Sequence, residues 1–310
     1  MTSAAAPQAP GRRTGFGTVA LMAIYLVAAP PLFLLGPLLL LLLLSSPRTR
    51  REWLWILLAG AATLVVVRQR EAAGVVNSLL ISGAAMTAGA YAVMTHAFRG
   101  WSMSGRVLLA VALATLGVLG WSLAMGVRIE LVDGTVRAEL QRALDLMMES
   151  AAPEQRQAAE ASADLLTWVF PAVTMLQATA GLALAGRWYH EVAAAPVGDA
   201  PDRFRDFKFN DHLVWGAIFT LAAAVLTPPE PWARLVTNAL VVWVGLYVAR
   251  GLAVAIAVAA RWPAPTRLLA LAAAVLAFPF ATAGLVTVGL MDTWIDFRGR
   301  LASQNVGGES

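Results

Sequence analysis

The residues able to do chemistry in this chain are few, and their spacing keeps them apart. His190 and Glu191 are adjacent, but an intramembrane zinc protease needs closely spaced ligands such as His-Glu-x-x-His, and no second histidine follows. His96 and His212 lie far off, at the ends of other apolar runs. Ser78 and Ser82 have no histidine at an obviously matching depth to serve as a base. The absence of cysteine removes thiol nucleophiles, thiolate metal sites and disulfides. No glycine-rich loop of the phosphate-binding type is present, so any transport would draw on a gradient or a partner's motor. Together these features predict a protein that is not an enzyme and holds no metal or cofactor.

What remains is a charge in the wrong solvent. Arg250 interrupts the mostly apolar run 235–260, which as a helix is about 39 Å long, more than the ~30 Å hydrocarbon core of a bilayer. An ionisable group inside a span costs several kcal/mol unless it faces protein or a water-filled cavity, so Arg250 needs a partner. Eleven residues separate it from Arg261, and eleven residues beyond Arg267, on the returning segment, lies Phe278 next to Pro279. A proline within a span leaves the carbonyl four residues earlier, that of Val275, without its helical donor. The expectation is that Arg250 pins this kink between the last two spans. The rival is a substrate site for an anion or carboxylate, with Asn77 and Asn238 as polar neighbours of Arg250. Asp292 and Asp296 stand one turn apart at the end of the last run with Arg298 and Arg300 following, and read as a salt-bridged helix end.

These residues must be positioned by a membrane fold. Hydrophobic residues make up 59% of the chain and charged ones 14%, against roughly 25% charged in soluble proteins, so aqueous folding is excluded as the main regime. Apolar runs at 16–29, 31–45, 53–67, 72–95, 105–127, 163–187, 212–227, 232–260 and 265–291 predict an all-α polytopic transmembrane helix bundle of eight or nine spans. The first two runs, divided by Pro30 and Pro31, are either one kinked span or two short ones. With nine spans, one side of the membrane collects 13 basic residues and the other nine, which places the N-terminus in the cytoplasm. Lys208 is the only lysine among the 23 basic residues; the arginines cluster at the ends of apolar runs and form no stripe for nucleic acid. Tryptophans 53, 55, 101, 188, 215, 232, 262 and 294 fall near span ends and read as an interfacial belt. Arg12 and Arg13 precede an apolar stretch, but hydrophobicity resumes after Pro31, so no cleaved signal is expected.

The expected organisation is a disordered cytoplasmic tail (1–14), a single transmembrane domain (15–300) and a disordered tail (301–310). Residues 128–164 interrupt the membrane pattern with four arginines and eight acids. Val136, Leu140, Ala143, Leu144 and Met147 share one helical face there, predicting an amphipathic extramembrane helix that packs over the bundle or a partner. In the run 72–95, Gly74, Ser78 and Ser82 at four-residue spacing predict a packing seam, with Asn77 as an alternative substrate contact.

Three stretches carry a resemblance. They are Lys208-Phe209-Asn210-Asp211-His212-Leu213-Val214-Trp215, Asn238 with Leu246-Tyr247-Val248-Ala249-Arg250-Gly251-Leu252-Ala253, and Gly289-Leu290-Met291-Asp292-Thr293-Trp294-Ile295-Asp296-Phe297-Arg298. With them the chain resembles the YybS-like family of predicted bacterial membrane proteins, a domain of unknown function, over about residues 16–300. The resemblance implies a multi-pass protein of the bacterial cytoplasmic membrane and gives Gly251, Asp292, Trp294, Asp296 and Arg298 as structural positions, beside Pro279 at the expected kink. It also implies a fold similar to the substrate-binding membrane subunits of energy-coupling-factor importers. Two functions follow as expectations: a small-molecule transport subunit, or a non-catalytic scaffold or assembly factor for envelope machinery. The expected partners are the lipid bilayer and another membrane protein.

Overall fold

The computed structural model describes residues 16–71, 74–148, 152–230, 232–297 and 299–300. Both expected tails lie outside these residues. The described residues form helices α1 (Phe16–Ala28), α2 (Leu32–Leu44), α3 (Arg50–Glu71), α4 (Gly74–Ala97), α5 (Met103–Ala124), α6 (Ile129–Met147), α7 (Pro153–Val192), α8 (Leu213–Val225), α9 (Trp232–Ala259), α10 (Ala264–Leu276) and α11 (Phe278–Ile295), and no strand. Six of these, α3, α4, α5, α7, α9 and α11, are long and apolar enough to cross a membrane, while α1, α2, α8 and α10 are apolar but shorter.

Pro30 and Pro31 divide the first apolar stretch into two helices. The second is the centre of the larger core, where Leu34, Leu38 and Leu42, four residues apart, are fully buried against α4, α7 and α3. On α7, Gly181 allows this approach: a Cβ there would meet the carbonyl of Phe33 and the hydroxyl of Tyr25. Tyr25 donates to the carbonyl of Gln177 at 2.8 Å, fixing α1 to the same face. A second, smaller core gathers Phe209, Val214, Leu246 and Tyr247 from α8, α9 and the loop before α8. Because α7 packs against both α2 and α9, it joins the two cores.

The seam on α4 differs from the expected one. Val76, Asn77, Gly83, Ala84, Thr87, Ala88 and Tyr91 are buried, whereas Ser78 is exposed. The hydroxyls of Ser78 and Ser82 donate to carbonyls one turn back in their own helix, those of Gly74 and Ser78, and so need no neighbouring helix. The tryptophan belt also has an exception: Trp188 is buried and packs edge-on against Trp55, 5.0 Å between ring centroids.

The largest departure lies at the C-terminus. The apolar run 265–291 is not one kinked span but two helices, α10 and α11, separated at Ala277. Pro279 sits in the first turn of α11, where the missing N–H would have had no intrahelical partner anyway. Composition stays apolar across the break, so hydropathy alone does not reveal it.

Candidate functional site

Arg250 is buried two thirds of the way along α9, and its partner is not the Val275 carbonyl. Val275 is exposed on α10 and takes no part. The guanidinium instead donates from Nε to Oδ2 of Asp292 at 3.0 Å, from Nη2 to the backbone carbonyl of Asp292 at 3.1 Å, and from Nη1 to Oδ1 of Asp211 at 2.8 Å. Its Cζ lies 5.2 Å from the ring centroid of Phe209. The two carboxylates are unlike: the side chain of Asp292 is fully buried, while that of Asp211 is 60% exposed. Arg250 is therefore shared between an internal partner on α11 and one on the loop before α8 that still meets solvent.

The geometry depends on two glycines. A Cβ on Gly251 would be driven into the carbonyl of Leu285, and one on Gly289 into the carbonyl of Tyr247. These pairs, 251 with 285 and 247 with 289, show that α9 and α11 run antiparallel with their backbones in direct contact. At that approach the Arg250 side chain reaches the main chain of the facing helix. Asp296 ends α11 in a left-handed conformation, φ 43°, and its carboxylate binds the Lys208 ammonium at 2.8 Å. Asp292 thus faces Arg250 and Asp296 faces Lys208, two contacts that the expected salt-bridged helix end did not include. Trp294 is exposed on the outside of α11, and Arg298 lies outside the described residues.

Asn238 does not join Arg250. It sits three turns earlier on α9, about 18 Å away along the axis, and is inserted into the backbone of α7. Its Oδ1 accepts from the N–H of Ala172 at 2.9 Å and its Nδ2 donates to the carbonyl of Trp168 at 3.0 Å, bridging two groups that an unbroken helix would bond to each other. The cause is Pro171, which removes one helical donor and strands the carbonyl of Thr167. Arg234, one turn before Asn238, reaches that carbonyl at 3.4 Å and also forms a bidentate pair with Asp133 on α6, 2.7 Å from Nη2 to Oδ1. A polar side chain does pin a proline kink in this protein, but the proline is Pro171 and the residues are Asn238 and Arg234. Asn77 is buried in the first turn of α4, on a different element from both.

A third polar junction gave no signal as a site. Thr49 and Glu52 cap α3 reciprocally, the Glu52 carboxylate accepting from the Thr49 N–H at 2.7 Å and the Thr49 hydroxyl from the Glu52 N–H at 3.3 Å. The other Glu52 oxygen accepts from the N–H of Ala194 at 2.8 Å, so the start of α3 holds the chain just after α7. The spacing Thr-x-x-Glu announces the cap, while nothing in the sequence announces Ala194.

Fold and sites together define a helical membrane protein of several spans, braced internally by buried charge and amide contacts. The chain belongs to a family described as predicted membrane proteins, DUF2232, which matches residues 17–293. No curated protein and no solved structure matches it.

Proposed function

We propose that the protein is a non-catalytic scaffold or assembly factor of the bacterial cytoplasmic membrane, working through a protein partner. The observation that carries this reading is the α6–α7 unit. Helix α7 has 40 residues and is about 60 Å long, twice the hydrocarbon core. Four of its charged residues, Glu154, Arg156, Glu160 and Asp164, precede the apolar stretch that begins at Leu165, and the other two, Arg187 and Glu191, stand at its far end. In this reading, residues 153–164 stand outside the bilayer with α6 beside them as an amphipathic helix. Arg137 pairs with Asp164 at 2.8 Å and Arg234 with Asp133, bracketing a cleft of about 390 Å³. The far end of α6 carries Leu146 and Met147, 84% and 82% exposed. In this reading the shorter helices α1, α2 and α8 join the six long ones to make nine crossings, and α10 is not one of them. Photo-crosslinking in cells from Leu146 and Met147, compared with Leu276 on α10, tests the reading. Protein adducts of one discrete mass from α6 alone are expected; lipid adducts alone from all three positions would sink it.

A small-molecule transport subunit, with the energy-coupling-factor resemblance, is the second reading. It is favoured by the open edge of the Arg250 cluster at Asp211. Retention of a small molecule by the purified protein, lost on Asp211→Asn, would support it, and identical retention by both proteins would count against it.

A further inference from the structure

Among the described residues Arg106 is the other fully buried arginine, and none of their carboxylates pairs with it. It sits in the first turns of α5 and is 1% exposed. Among the described residues its only hydrogen bond is a long one, 3.4 Å from Nη2 to the carbonyl of Asp199, while Nε and Nη1 have no partner at all. The contrast with Arg250, which has a partner on all three nitrogens, is direct. Each buried donor left unmade costs about 1–3 kcal/mol, and a buried cation without a counter-charge costs more.

The surroundings are constructed around this guanidinium. The chain after α7 folds over it and is tied down on several sides: Ala194 to Glu52, the N–H of Val197 to the Tyr189 hydroxyl at 2.9 Å, and the carbonyl of Gly198 to Nε2 of His190 at 3.3 Å. Gly198 has φ +82°, and a Cβ there would collide with Nη1 of Arg106. The Tyr91 phenol lies within reach of the Arg106 charge. One turn further along α4, the buried Thr95 hydroxyl lies beside the Tyr91 phenol. Two donors of a buried guanidinium are thus left here without an acceptor among the described residues. The position is the N-terminal end of an apolar helix long enough to cross a membrane, just past the exposed Trp101, where the helix dipole favours an anion.

We propose that Arg106, beneath the 193–199 loop, binds a phosphate group, supplied by a phospholipid headgroup or by free phosphate. The Nε edge of the planar guanidinium, shared with Nη2, offers a fork suited to two phosphate oxygens.

The test uses the full chain purified in a neutral detergent. Thermal unfolding is followed in inorganic phosphate against chloride at equal ionic strength, and in nanodiscs of phosphatidylglycerol against phosphatidylcholine. Stabilisation by phosphatidylglycerol identifies the headgroup as the source, and stabilisation by inorganic phosphate alone identifies the free anion. Arg106→Gln is expected to abolish the response, whereas Arg99→Gln, at an exposed arginine near the same helix end, keeps it. Arg106→Lys retains the charge without the fork and is expected to weaken apparent affinity about tenfold, a loss of roughly 1.4 kcal/mol. If the Gln protein does not accumulate, the Lys protein decides. A wild-type protein indifferent to both comparisons, or an Arg106 variant responding as the wild type does, overturns the proposal.

Discussion

Replacing Arg250 by Leu should be among the most damaging single changes in the chain, and the second partner's identity makes that claim testable. The substitution takes from the fully buried Asp292 the guanidinium that it binds, while Asp211, 60% exposed, is rehydrated. Breaking a buried pair by removing one member costs about 3–5 kcal/mol, because a charge is left uncompensated in low dielectric. Removing both members removes that penalty. Arg250→Leu with Asp292→Leu should therefore be more stable than Arg250→Leu alone, by about 2–3 kcal/mol if half or more of the penalty is relieved. Asp211→Asn should cost at most about 1 kcal/mol, as its carboxylate is already solvated. Arg250→Gln keeps a donor for the Asp292 carbonyl and should fall between wild type and Leu. The assay is reversible unfolding in mixed detergent and SDS micelles, read by tryptophan fluorescence across the four-member cycle. If the double variant loses the sum of the two single losses, or Arg250→Leu unfolds with the wild type, the account of the cluster is wrong.

Gly251→Ala should separate α9 from α11, and a loss of about 1–3 kcal/mol is expected from the forced repacking; a cysteine crosslink engineered between the two helices should form more slowly, and an unchanged rate would contradict the close contact. Asn238→Ala strands the N–H of Ala172 and the carbonyl of Trp168, a cost of about 1–3 kcal/mol for each group. Pro171→Ala, which returns a donor to Thr167 and lets α7 close its own ladder, should suppress that loss in the same unfolding assay, and failure to do so would refute the bridging role. Glu52→Ala removes acceptors from the N–H groups of Arg48, Thr49 and Ala194. It should raise hydrogen exchange at Ala194 well above that of wild type, with unchanged protection arguing against the tie.

Much of the architecture was legible because hydropathy and interruption are local. The runs at 53–67, 72–95, 105–127 and 232–260 correspond to α3, α4, α5 and α9 with ends shifted by a few residues, and the two short helices at the start were one of two alternatives left by Pro30 and Pro31. The break at Ala277 was not, since leucine and alanine continue on both sides of it. The need for an Arg250 partner was readable from desolvation alone, but the partner was not. Asp292 and Asp211 are 42 and 39 residues away, and only the backbone contact at Gly251 and Gly289 decides which carboxylate reaches it. Expecting a freed proline carbonyl to draw a polar side chain was sound chemistry applied to the wrong proline. Pro279 begins a helix and frees nothing that needs a donor, whereas Pro171 lies within one, and Arg234 and Asn238 occupy one face of α9 opposite it.

The order of the three charged residues along the chain bears on how the protein is made. Asp211 is synthesised first, Arg250 follows, and Asp292 comes last. When Arg250 enters the bilayer its first counter-ion has already been translated, so the arginine need not cross as a bare cation. Asp292 then arrives with the final helix and meets a charge already waiting there. The exposed carboxylate thus precedes the arginine in the chain, and the buried one, on the last helix, completes the cluster.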